Sequence, residues 1–158
     1  MVISLAPFVP SRIEVVKKML EMAKTGLNDV VFDLGCGDGR IILSAVRDFG
    51  AKKAVGYEIK SELYKQASDE IINQNMREKV IVKNDDLMKA DLSEATIITL
   101  YLTTSGNEWL KPKIRSEANA GTRIVSHDFM FKGWHPLIRE DFQGHLIYLY
   151  VVPEAFSQ

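Results

Sequence analysis

Along the chain, short runs of apolar residues alternate with longer stretches in which apolar positions recur every three or four residues. Runs rich in Val, Ile and Thr mark strands, whereas the 3.6-residue period marks helices with one buried face. On this pattern strands are predicted at 30–34, 53–57, 79–83, 95–102 and 122–127. A leading helix begins at the Ser-x-x-Glu capping box of Ser11 and Glu14, continues through Ile13, Val16, Leu20 and Ala23, and stops at Gly26. Another runs from Asp38 to Phe49 and ends at Gly50, and the next starts at Ser61 with Leu63, Ala67 and Ile71 on one face. A further helix starts at Ser105, where Glu108 completes a second capping box. After Trp134 no long helical period remains, and DFQGHLIYLYVV reads as two strands joined at Gln143-Gly144. Strands and helices in alternation imply an α/β domain with a doubly wound, mostly parallel sheet, closed at one edge by an antiparallel hairpin.

Composition narrows the picture without changing it. The 158 residues, 46% hydrophobic and 26% charged, suit one globular domain over 1–158, and no repeat or linker divides them. Twenty Lys and Arg against 21 Asp and Glu give a net charge of −1, so no nucleic-acid partner is expected. The single cysteine, Cys36, forms no intramolecular disulfide and no Cys-based zinc site, which favours a reducing, cytoplasmic setting. The opening MVISLAPFVPSR has no basic leader and is interrupted by Pro7 and Pro10, so neither a signal peptide nor a membrane span is expected. His127, His135 and His145 lack a metal-ligand spacing and read as core or solvated histidines; no metal is predicted.

The chemistry concentrates in VVFDLGCGDGR, residues 30–40, where a strand breaks into glycines before the next helix. That junction is where open α/β sheets bind ligands. Gly35 and Gly37 lack the Cβ atoms that would keep a cofactor off the backbone, and Asp33 and Asp38 can accept hydrogen bonds from a ligand amine. The dinucleotide fingerprint would require a small residue where Arg40 stands, and the third glycine comes one place early, at Gly39. A P-loop ending is also absent. About 20 residues on, at the end of the second strand, Glu58 stands where an acid can accept from both ribose hydroxyls of a nucleoside. Cys36, between two glycines and with no histidine nearby in sequence, reads as a small residue in a tight turn rather than a nucleophile. Tyr101, at the end of the fourth strand, is a candidate for the acceptor channel, with packing in the core as the alternative.

DLGCGDG resembles the first motif of the seven-strand S-adenosylmethionine-dependent methyltransferases. Taken with PFVPS, KKAVGYEI, DLSEATIITLYL, NEWLKPK and GTRIVSHDF, the chain resembles the archaeal protein lysine methyltransferase (aKMT) family over nearly its whole length. The resemblance implies S-adenosylmethionine as cofactor, S-adenosylhomocysteine as product, and proteins with exposed lysines as substrates of a broadly specific monomer. It places Asp33, Gly35, Cys36, Gly37, Gly39, Glu58, Ile59 and Leu100 around the cofactor, with Phe8 and Ser11 closing on its methionine end in a covering segment over 1–12. Asp85 or Asp86 would contact adenine. No dedicated general base is implied, because a desolvated lysine amine can lose its proton to water. A small-molecule or RNA methyltransferase, or a non-catalytic nucleotide-binding module, are the alternatives.

Overall fold

The computed structural model describes residues 9–157. Its centre is the strand β1 (Val30–Leu34), flanked by β2 (Lys53–Tyr57) and then β3 (Val80–Lys83) on one side. On the other side lie β4 (Ile97–Leu100), β5 (Arg123–His127), β7 (His145–Val151) and β6 (Ile138–Phe142), giving the order β3-β2-β1-β4-β5-β7-β6. The first five strands run parallel, and β7 is antiparallel to both β5 and β6. The chain winds outward from β1 to β3, then returns to start again at β4. The topological switch point therefore lies between β1 and β4.

Neighbouring residues of each strand face opposite sides of the sheet, which divides the core in two. Val31, Ala54, Ile97, Val125 and Ile147 pack beneath α1 (Ile13–Met22) and α2 (Arg40–Arg47) on one face. Phe32, Val55, Ile98, Ile124 and Tyr148 pack on the other, where α4 (Thr104–Glu117) contributes Leu110 and Ile114. Each of those two fully buried side chains contributes roughly 1.5–3 kcal/mol. The helix α3 (Ser61–Asn73) buries Leu63, Ala67 and Ile71, the face its periodicity predicts.

Both capping boxes prove wrong. The helix α1 starts at Ile13 with no side-chain cap, because the Ser11 hydroxyl is hydrogen-bonded to His127 Nδ1 at 2.8 Å. The helix α4 is capped by Thr103, whose Oγ1 accepts from the Gly106 N–H at 2.9 Å, and not by Ser105. The predicted hairpin is present, although β6 begins at Ile138, ahead of DFQG. Its turn holds Gln143 at φ 53° and Gly144 at φ 84°, the two positive values of a type I′ turn.

Candidate active site

At the carboxyl ends of β1, β2, β3 and β4 a cleft opens over the switch point. The loop after β1 forms its floor. It is tied to β2 by the Gly35 and Cys36 N–H groups, both donating to the Tyr57 carbonyl at 2.9 Å. Gly35 (φ 87°) and Gly37 (φ 57°) occupy left-handed backbone, and a Cβ on Gly35 would meet Leu102 at 3.2 Å. Glu58 Oε1 accepts the Gly37 N–H at 2.8 Å and Oε2 accepts the Lys60 N–H at 2.9 Å, so its carboxylate is fixed on the wall.

The cleft is acidic. Asp33 is 3% exposed and accepts from Thr99 Oγ1 at 2.9 Å; among the described residues no Lys or Arg pairs with it. Burial pushes its carboxyl up to about 8, opposed by the Thr99 hydrogen bond and reinforced by the charges of Glu58 and Asp38. A cationic ligand would remove that strain on the ionised form. Asp38 is already engaged: Arg40 Nε and Nη2 donate to it at 3.0 and 2.6 Å, holding its carboxyl below the usual range. The remaining Arg40 nitrogen, Nη1, donates to the Ser11 carbonyl at 2.9 Å and so draws residues 9–11 over the cleft. Asp85 and Asp86 lie at the far rim, where Asp86 caps the 3₁₀ turn Leu87–Lys89 by accepting from the Met88 N–H.

On the side of β4 and β5 the wall is aromatic. The Tyr101 ring lies 3.9 Å from the His127 ring and 6.1 Å from that of Phe129, centroid to centroid. Burial and the Asp128 carboxylate raise the Tyr101 phenol, keeping it neutral at physiological pH. Burial also holds His127 down at about 4, against the pull of Asp128 and with His145 adding to the shift.

Comparison with known proteins decides the class. The profile of the ANTKMT methyltransferase domain matches residues 33–138, from the acid of the glycine loop to the start of β6. The protein-lysine N-methyltransferase of Saccharolobus islandicus (strain REY15A) is 43% identical over 152 residues, 94% of each chain. The chain belongs to the ANTKMT methyltransferase family. The adenine nucleotide translocase lysine N-methyltransferase of Mus musculus is 30% identical over 83% of this chain and 56% of its own length. Among solved structures, an RNA methyltransferase from Salinibacter ruber in complex with S-adenosyl-L-homocysteine superposes with a TM-score of 0.91 at 40% identity, over 95% and 97% of the two chains.

Within this ANTKMT-type fold, Ser11, Asp33, Gly35, Cys36, Gly37, Glu58, Ile59, Asp85, Asp86 and Tyr101 all line the cleft. Two predicted contacts do not. Gly39 faces α3, where a Cβ would sit 3.1 Å from that of Ala67, so its smallness serves helix packing. Leu100, the last residue of β4, is fully buried in the core. Phe8 lies outside the described residues. Asp38, expected to meet a ligand amine, also lines the cleft, with its carboxylate paired to Arg40. Sequence reasoning missed Tyr57, Lys60, Leu63 and Leu102 on the cleft wall. Leu102 was within reach, since it follows Tyr101 at the end of the strand that borders the switch point. It also missed that His127 and His145 come together, Nε2 to Nδ1, at 2.8 Å.

Proposed function

We propose that this protein transfers the methyl group of S-adenosylmethionine to lysine side chains of other proteins. The observation that carries the reading is a match at 43% identity, over 94% of each chain, with a protein-lysine N-methyltransferase. The cleft suits that cofactor. Asp33, buried without a cationic partner among the described residues, would take the methionine ammonium, and Glu58 would accept from the ribose hydroxyls. Gly35 and Gly37 let the backbone lie against the ligand, Ile59 and Leu87 would flank the adenine, and Asp85 or Asp86 would accept from its amino group. Residues 9–11, drawn in by Arg40, would cover the methionine end, the described part of a covering segment over 1–12 in a single domain.

The bound cofactor supplies an electrophilic methyl on a sulfonium, so the protein has to align an amine lone pair with it and exclude water. A lysine amine titrates near ~10.4 in water. Entry along the aromatic wall strips its hydration and lowers that value, allowing the proton to leave to solvent before attack. Tyr101, its ring fixed against His127 and Phe129, offers a π face to the incoming ammonium and to the methylated product. No side chain is assigned as general base. By the likeness to the protein lysine methyltransferases we expect broad specificity, in a monomer acting in the cytoplasm.

The Salinibacter ruber relative favours a second reading, an RNA acceptor. The near-neutral net charge of −1 opposes it, since Lys and Arg contacts to phosphate supply most of the affinity for nucleic acid. Intact-mass spectrometry of a lysine-rich protein mixture and of an RNA mixture, each incubated with S-adenosylmethionine, separates the two. Mass steps of one methylene on protein lysines, absent with Gly37→Arg, are expected. Methylated RNA with unmodified protein would overturn the lysine reading and leave the methyltransferase standing.

A further inference from the structure

The β5–β7 pairing brings three ligand-type side chains from distant sequence positions to one point beside the cleft. His127 ends β5, Asp128 follows it, and His145 opens β7. The three atoms His127 Nε2, His145 Nδ1 and Asp128 Oδ2 face one another at 2.8, 3.5 and 3.6 Å. Around a tetrahedral zinc ion with bonds near 2.0–2.1 Å, ligand atoms stand about 3.3 Å apart, so these separations bracket the required spacing.

The opposite side of each group is held. His127 Nδ1 meets Ser11 Oγ at 2.8 Å, which commits that nitrogen and leaves Nε2 aimed at the other two ligands. Asp128 Oδ1 accepts the Leu146 N–H at 3.1 Å while its own N–H donates to the Leu146 carbonyl at 2.6 Å, and a φ of 65° turns the carboxylate back toward the imidazoles. The following loop is braced by Asn107, whose Nδ2 donates to the Phe129 and Met130 carbonyls at 3.0 and 3.1 Å. His127 is 1% exposed and covered on one ring face by Tyr101, while His145 and Asp128 remain partly open to solvent, leaving an entry path.

We propose that His127, Asp128 and His145 form a binding site for a divalent first-row transition metal, zinc by preference. Two imidazoles and one carboxylate supply three ligands, and the fourth position is left for water. The ion would tie β5 to β7 and, through His127 and Ser11, fix the segment that roofs the cleft. Metal binding does not depend on which acceptor is methylated, and its test needs neither cofactor nor substrate.

Tag-free, chelator-stripped protein is titrated with zinc chloride by calorimetry and, separately, with cobalt chloride by visible absorption. The expected result is one zinc per chain and a cobalt spectrum with the intense bands of a tetrahedral site, bleached by added zinc. His145→Ala and Asp128→Asn, both at partly exposed positions, abolish the cobalt bands, and Ser11→Ala weakens zinc binding by roughly 10–100-fold. Wild-type protein that shows no tetrahedral cobalt spectrum, or that binds zinc no more tightly than His145→Ala, would overturn the proposal and leave the pair as an imidazole–imidazole hydrogen bond. Because the cobalt spectrum is read on the wild type, poor folding of a variant does not blunt the test.

Discussion

Asp33 is buried at the end of the central strand with a carboxyl pushed up to about 8 and one hydrogen bond from Thr99. An unfolded aspartate titrates near ~3.9, so between these values the folded protein holds a proton that the unfolded chain has lost. The stability associated with this group is therefore complete below about pH 4 and declines as pH rises toward 8, by up to about 1.4 kcal/mol per pH unit. Urea midpoints of ligand-free protein measured across that range are expected to fall, and Asp33→Asn is expected to flatten the profile. An ammonium ligand reverses the preference, because it pairs with the ionised form. Cofactor affinity is expected to rise with pH toward 8, with proton release visible as a dependence of calorimetric enthalpy on the buffer. At Gly56, in β2, an added Cβ would lie 2.5 Å from the Cys36 sulfur, closer than any relaxed contact. Gly56→Ala is expected to cost about 1–3 kcal/mol, measured by urea unfolding, and combining it with Cys36→Gly should recover part of that loss. Cys36 thus serves the floor of the cleft by its small volume, as its place between glycines suggested, and burial pushes its thiol well up, away from nucleophile chemistry.

At the scale of elements, what sequence revealed and what it hid have physical causes. The buried face of α3, most of that of α1 (Val16 and Leu20, though not the exposed Ile13) and the central strands were legible because periodicity records which side each element turns to the core. The caps were not, because a capping residue is chosen by competition among nearby partners. Ser11 stands in a correct Ser-x-x-Glu spacing, yet its hydroxyl is taken by His127, 116 residues away. Thr103 precedes α4 with its own hydroxyl already on the Gly106 N–H, which leaves Ser105 exposed inside the helix. Thr103→Ala is expected to lower stability by roughly 0.5–2 kcal/mol and Ser105→Ala to change it little, as read from thermal midpoints. The hairpin offers a gain. Gln143 holds a positive φ that Asn adopts more readily, and Gln143→Asn creates the Asn-Gly pair favoured in type I′ turns, so the midpoint should rise. The candidate site divides in the same way. Asp33 and Glu58 were legible because each is fixed by its own strand end. The His127–His145 contact depends on the register of β5 against β7, and spacing along the chain carries no record of it.

For the whole molecule, the cleft walls come from chain segments that only folding assembles: residues 9–11, the loop after β1, and the ends of β2, β3 and β4. A ligand that touches them all binds the native state and not the unfolded chain, so it stabilises every part of the fold at once. At a concentration 100 times its Kd the gain is about 2.7 kcal/mol, which for a domain of this size raises the thermal midpoint by roughly 5–10 °C. Arg40 decides how much of that gain includes the roof. Its guanidinium pairs with Asp38 in the loop, both side chains partly exposed, and reaches the carbonyl of buried Ser11 above, so the ion pair adds little to the fold alone. Arg40→Gln should therefore leave the ligand-free midpoint within a degree or two of wild type while weakening cofactor binding about tenfold, the worth of one charge-assisted hydrogen bond. Calorimetry of cofactor binding beside thermal melts of the free variant separates the two effects. A midpoint that falls by as much as the binding does would make Arg40 a fold-stabilising residue, and unchanged affinity would mean that residues 9–11 do not close on the cofactor.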